Sequence, residues 1–164
     1  MNTSLPRPPL ALVVATQLFL GVLFGDGIAA IALLPGVAAS VAEALPEYAD
    51  LRGPVLASSI GFTALGLITI ALVSLLVHRI YRGTMLTRQS VIWVGALVAI
   101  LVCAALQIVS GAAVISGGQA GSPFLALILA IGVLAILTIA GITLVLRSLL
   151  RNAIAMRAEL DEVV

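Results

Sequence analysis

The chain of 164 residues has a single cysteine, no lysine, few aromatics (4%) and charge on only 9% of its positions. One cysteine excludes an internal disulfide, a cysteine-rich metal cluster and a Cys-x-x-Cys redox pair. It also excludes the four-span quinone-linked thiol oxidoreductases, which need paired cysteines. A water-soluble domain carries about 25% charged residues, so the shortage of charge argues against a soluble fold. A net charge of +1 offers no basic surface for nucleic acid and implies no strongly polyanionic partner. Catalytic signatures are absent too. There is no Ser-His-Asp set in compatible positions, no His-Glu-x-x-His, no phosphate-binding loop and no dinucleotide fingerprint. The expectation is a non-enzymatic protein with no cofactor. What the chain does have is 62% hydrophobic residues and a mean hydropathy of +1.28, the composition of a small integral membrane protein. Its basic set is entirely arginine, which together with abundant Ala, Val, Leu and Gly fits a GC-rich bacterial genome.

The charges mark the crossings. A hydrocarbon layer of about 30 Å needs about 20 helical residues. Between Arg52 and Arg79 lie 26 residues without formal charge, which predicts a span over 54–77. Between Arg88 and Arg147 lie 58, about 87 Å of helix, so this run folds back. Gly, Ser and Pro cluster at Ser110–Pro123, placing spans at 90–109 and 124–146. The first span is predicted over 10–34, opened by Pro8 and Pro9 and closed by Pro35-Gly36. A cleaved signal peptide, with Arg7 as a weak basic region and cleavage near Ala29 or Ala30, is the competing interpretation of this segment. The apolar run continues past that point to Leu34, which favours an uncleaved span.

The predicted architecture is all-α: an integral membrane four-helix bundle, one domain over 1–164, with an amphipathic cytoplasmic helical extension at 147–164. In that extension Leu149, Ala153, Met156, Leu160 and Val163 form one apolar stripe. The tail is expected to rest on the membrane surface or to pack against a copy or another protein. Gly21 with Gly25, Ala57 with Gly61, and Ala126 with Ala130 are candidate small-residue seams between helices; chance pairing in a Gly- and Ala-rich chain explains them equally well.

Seven arginines, Arg7, Arg79, Arg82, Arg88, Arg147, Arg151 and Arg157, fall on the side of the termini and the central loop, and only Arg52 falls on the other. Arginine is retained on the cytoplasmic face, so both termini are expected inside a bacterial cytoplasmic membrane. Arg79, Arg82, Arg88, Arg151 and Arg157 are then candidate contacts for anionic lipid or a cytoplasmic partner, with Tyr81 and Trp93 anchoring that boundary.

Asp26 is the one acidic residue inside an apolar run. An intramembrane carboxylate is costly and marks a candidate site for proton or cation coupling. Counted from Leu10 it lies about 24 Å along the helix, and a first span ending at Leu34 places it toward the outer interface, where water satisfies it. An oligomeric transporter or pore built on Asp26 is the second functional expectation. Small multidrug exporters share four short spans and a membrane carboxylate, in outline only. His78 is expected at the interface, with no second histidine for a metal site. Glu43, Glu47 and Asp50 are expected as solvated outer-loop charge, because Pro46 opposes one regular helix through them. Cys103 is expected to be a packing residue. Ser and Thr within spans are expected to bond to the preceding turn.

Three stretches carry a family resemblance. They are Leu45-Pro46-Glu47-Tyr48-Ala49-Asp50-Leu51-Arg52-Gly53-Pro54, Tyr81-Arg82-Gly83-Thr84, and Leu146-Arg147-Ser148-Leu149-Leu150-Arg151-Asn152-Ala153 with the following Met156–Val164. With these, the chain resembles the bacterial family known as Domain of Unknown Function 2975, small four-span membrane proteins of this length. Members often carry an aromatic shortly after the Arg-Gly, where Met85 and Leu86 stand here. The resemblance implies topology and no activity. Because the family's genes are often found beside a small helix-turn-helix regulator, it also implies a regulator of that kind as a partner.

The orientation is tested by single cysteines, Ser40→Cys, Ser116→Cys, Thr84→Cys and Ala158→Cys, each in a Cys103→Ala background. An impermeant thiol reagent applied to intact cells is expected to label positions 40 and 116 only. Labelling at 84 or 158 before lysis overturns the orientation.

Overall fold

The computed structural model describes residues 10–81 and 88–162, the side chains of Arg88 and of residues 157–162 excepted. Within hydrocarbon every backbone N–H and C=O needs a partner in its own segment, and the helix provides it. The described chain is accordingly helical: α1 Leu10–Ala44, a 3-10 helix Pro46–Leu51, α2 Arg52–Tyr81, α3 Arg88–Gly117 and α4 Pro123–Glu162. Four of these segments are long and apolar enough to cross a membrane. No strand occurs among the described residues.

The helix starts follow local chemistry. Pro123 opens α4 at a position whose N–H would have no helical partner. Ser122 Oγ accepts the Leu125 N–H at 3.1 Å as its cap. At the other end of this turn, Ala120 N–H reaches the Ile115 carbonyl and Gln119 N–H the Ser116 carbonyl, the paired bonds of a Schellman stop. That motif needs a left-handed residue, and Gln119 supplies it at φ 56°, although Gly117, Gly118 and Gly121 all stand within two positions.

Two boundaries differ from the sequence expectation. Pro35-Gly36 does not close α1; the helix continues through Pro35 to Ala44. A proline removes one helical hydrogen bond but is tolerated in membrane helices, where local adjustments satisfy the freed carbonyl. Likewise Ser110 does not begin a loop. Helix α3 runs to Gly117, and its glycine there serves packing: a Cβ at Gly111 would stand 2.9 Å from Ser58 Oγ of α2. The reversal is confined to residues 118–122. The C-terminal segment continues α4 without a break to Glu162, with Leu149 and Met156 exposed and Ala153 half-buried. The part of the apolar stripe beyond Met156 lies outside the described side chains.

Consecutive helices pack as antiparallel neighbours, α1 on α2, α2 on α3 and α3 on α4. Helices α1 and α4 do not close a ring against each other among the described residues, so the expected bundle is an open row. Among the described residues the buried apolar side chains are Val94, Ala104 and Ala105 of α3 and Ala140 of α4, and Ser90 of α3 is fully buried. These residues lie on the last two helices, and α1 and α2 contribute no buried residue among the described ones.

Polar pairs and glycines hold the row. Gln17 Nε2 donates to the Ser74 carbonyl at 2.9 Å, and Ser74 Oγ donates to Gln17 Oε1 at 2.6 Å, a reciprocal clasp between α1 and α2. Ten residues along α1, a Cβ at Gly27 would stand 2.6 Å from Leu67 Cδ2. Between α2 and α3, Gln107 Nε2 donates to the Ser58 carbonyl and hydroxyl at 3.4 Å, and Gly61 lies against the same amide. The candidate seams Gly21–Gly25 and Ala126–Ala130 are not used within the chain: nothing stands within 4 Å of a Cβ at Gly21 or Gly25, and both alanines are exposed. Of the Ala57–Gly61 pair, only Gly61 faces a neighbouring helix closely.

Hydrogen bonds of this kind between membrane helices contribute about 0.6 to 1.7 kcal/mol. A double-mutant cycle of Gln17→Leu and Ser74→Ala, read by unfolding in detergent, is expected to give a coupling of that size. Additivity of the two changes would show that the clasp contributes nothing beyond its parts.

Candidate functional site

The antiparallel register fixes which charges share a level. Gly27 packs on Leu67, and Leu67 lies near the middle of α2, Arg52–Tyr81. Asp26, beside Gly27, is therefore level with the middle of α2 and stands near the middle of α1 itself. The sequence expectation of a position toward the outer interface rested on a first helix ending at Leu34, whereas the described helix continues through Pro35 to Ala44. The side chain is exposed. Successive residues of a helix turn by about 100°, which sets Asp26 on the face opposite Gln17, Leu20 and Phe24, the residues turned toward α2. Among the described residues it has no hydrogen bond or ion pair.

The threonine hydroxyls within the described helices are satisfied locally. The hydroxyls of Thr16, Thr63, Thr69, Thr138 and Thr143 donate to the carbonyl four residues earlier at 2.7–2.9 Å, as the sequence leads one to expect. Gln17 and Gln107 were not singled out from sequence. Their signal was available, since an amide in an apolar run needs a partner, but the identity of that partner depends on helix pairing.

One end of the row gathers cations. Arg79 Nη1 donates to Gln89 Oε1 at 3.3 Å, joining the end of α2 to the start of α3. Its guanidinium lies 5.9 Å from the centre of the Trp93 ring, within cation–π range. Trp93 Nε1 is buried with no hydrogen-bond partner among the described residues. Arg147 of α4 lies across α3 at Gly95, where a Cβ would stand 3.1 Å from its Cζ. The missing side chain lets the guanidinium rest on the helix backbone. Arg88 opens α3, and Arg151 and Arg157 follow on α4 beyond Arg147. Arg82 lies outside the described residues. The structure thus brings Arg79 and Arg147 to one end and holds Arg52 at the other.

The opposite end carries three of the chain's seven acidic residues, while Glu159, Asp161 and Glu162 follow Arg157 on α4. Glu43 stands in the last turn of α1, and Glu47 and Asp50 on the 3-10 helix, all three exposed. In a 3-10 helix residues i and i+3 eclipse. Glu47 and Asp50 therefore share its outward side, and Tyr48 and Leu51, both half-buried, share its inward side. Among the described residues no three metal-binding side chains gather. Cys103 is exposed on α3 and is not the enclosed packing residue the sequence leads one to expect.

Neither a curated protein nor a solved structure matches this chain. Residues 36–164, from the second half of α1 through the whole of α2, α3 and α4, match the family described as "Protein of unknown function (DUF2975)", and the chain belongs to that family.

Proposed function

We propose that this is a non-enzymatic, multi-pass protein of the bacterial cytoplasmic membrane, with both termini inside, whose cytoplasmic end binds a protein partner. The observation that carries this is the length of α4. Forty residues, Pro123–Glu162, make about 60 Å of helix, twice the hydrocarbon thickness of about 30 Å. The helix therefore projects past the end where Arg79 and Arg147 lie. On the projecting part Leu149 and Met156 are each 60% exposed among the described residues. An apolar helix face beside a basic surface suits a protein partner. The partner proposed is a small helix-turn-helix regulator, the kind of partner that the family resemblance implies.

Affinity purification of the full chain in mild detergent tests this against a Leu149→Glu, Met156→Glu double variant. Recovery of the partner is expected to fall about tenfold or more. Equal recovery from both proteins removes the tail from the proposal.

A second function is supported by Asp26, an exposed carboxylate at mid-helix without a partner. We propose as the alternative a small homo-oligomeric transporter or pore in which the outer face of α1 meets another subunit. In reconstituted vesicles, proton or cation flux is expected from the unaltered protein and is expected to be lost in Asp26→Asn. Flux no higher than in empty vesicles from both proteins excludes this alternative.

A further inference from the structure

At the end of the row opposite the arginine cluster, α1, the 3-10 helix and α2, with Ile115 of α3, border a partly open cavity of about 390 Å³, within the range of about 300–1,000 Å³ typical of small-molecule sites. Its walls are aliphatic, from Leu34, Ala38 and Val41 of α1 to Val55 and Leu56 of α2 and Ile115 of α3. Tyr48 and Leu51, the inward side of the 3-10 helix, also line it. The one charged residue on its lining is Arg52. Arg52 forms no ion pair among the described residues, although Glu43, Glu47 and Asp50 lie close in sequence. Glu47 and Asp50 are turned to the outward side of the 3-10 helix, and none of the three carboxylates lines the cavity.

We propose that this cavity is a binding site for an anionic phospholipid, with an acyl chain among the aliphatic walls and the phosphate on Arg52. Three features support that occupant. The walls offer almost no hydrogen-bonding groups, so what fills them is hydrocarbon. The lone unpaired guanidinium at the boundary has the planar donor geometry that phosphate oxygens match in pairs. The cavity also runs lengthwise: from Arg52 to Ser59, both on its lining, is about 10 Å along α2, directed from the helix end toward the middle of the apolar segment. An amphiphile with its charge at one end has that shape and polarity. The α1–α2 connection contributes both the lid and the cation, so the stretch Leu45–Pro54 serves as a lipid-binding element as well as a connection.

Native mass spectrometry of the full chain in detergent, titrated with dioleoyl phosphatidylglycerol, dioleoyl phosphatidylcholine or oleate, tests the site. Phosphatidylglycerol is expected to bind in one saturable step, with phosphatidylcholine about fivefold weaker. Arg52→Gln, a change at an exposed rim, is expected to bring phosphatidylglycerol down to the phosphatidylcholine level. Arg79→Gln, at the other end, is expected to leave that preference intact. Ala38→Trp fills the cavity and is expected to abolish the saturable step; Ala42→Phe replaces it should the tryptophan variant elute as aggregate. Equal binding of the two phospholipids to the unaltered chain, no effect of Arg52→Gln, or the same loss from Arg79→Gln overturns the proposal. Oleate binding tighter than phosphatidylglycerol and displacing it overturns the phospholipid in favour of a free fatty acid.

Discussion

Hydrocarbon surrounding a helix is as apolar as the helix surface, so burying leucine against leucine does not drive these segments together. Association depends on contacts that lipid cannot imitate: backbones brought close at glycine, and amide or hydroxyl groups that would otherwise be unpaired. Helix α2 receives both kinds on two sides. Ser74 clasps Gln17 of α1, Leu67 lies over Gly27, and Ser58 with Gly61 meets Gln107 and Gly111 of α3. The α3–α4 contact is different in kind, with Arg147 lying across Gly95, and the buried apolar residues Val94, Ala104, Ala105 and Ala140 all lie on these two helices. Each joint links sequence neighbours, and no comparable joint links α1 to α4.

An open row has consequences for function. It leaves two unpaired edges. One is the outer face of α1, where Asp26 stands exposed near the helix centre; the other is α4, whose far end continues beyond the span of a bilayer. Among the described residues both faces are left uncovered by the chain's own helices. The two ends also differ in chemistry. Arg79, Trp93 and Arg147 form a basic surface fixed by hydrogen bonding, ring contact and backbone packing. The opposite end has a closed connection, with the 3-10 helix turning carboxylates outward and Tyr48 and Leu51 inward. Leu51 also seats against Gly118 in the α3–α4 turn, tying the two connections at that end together.

The number of helices, their rough positions and the segregation of arginine were legible in the sequence, because each depends on composition along a single segment. A charge-free stretch of 26 residues between Arg52 and Arg79 can be read without knowing its neighbours. So can Pro123 after Ser122 as the start of a helix. What tertiary structure decided is wherever a residue's role depends on another segment. Proline 35 looks like a stop until the helix continues past it. The Ser110–Gly117 stretch looks like a loop until Gly111 is found against Ser58. Asp26 acquired its level relative to α2 only through Gly27 on Leu67, and Gln17 and Gln107 acquired partners only through pairing. Local propensity and hydropathy act along the chain and are written in it; the contacts that hold helices together in lipid are sparse, and which of many similar glycines and polar groups meet is settled only when the helices are side by side.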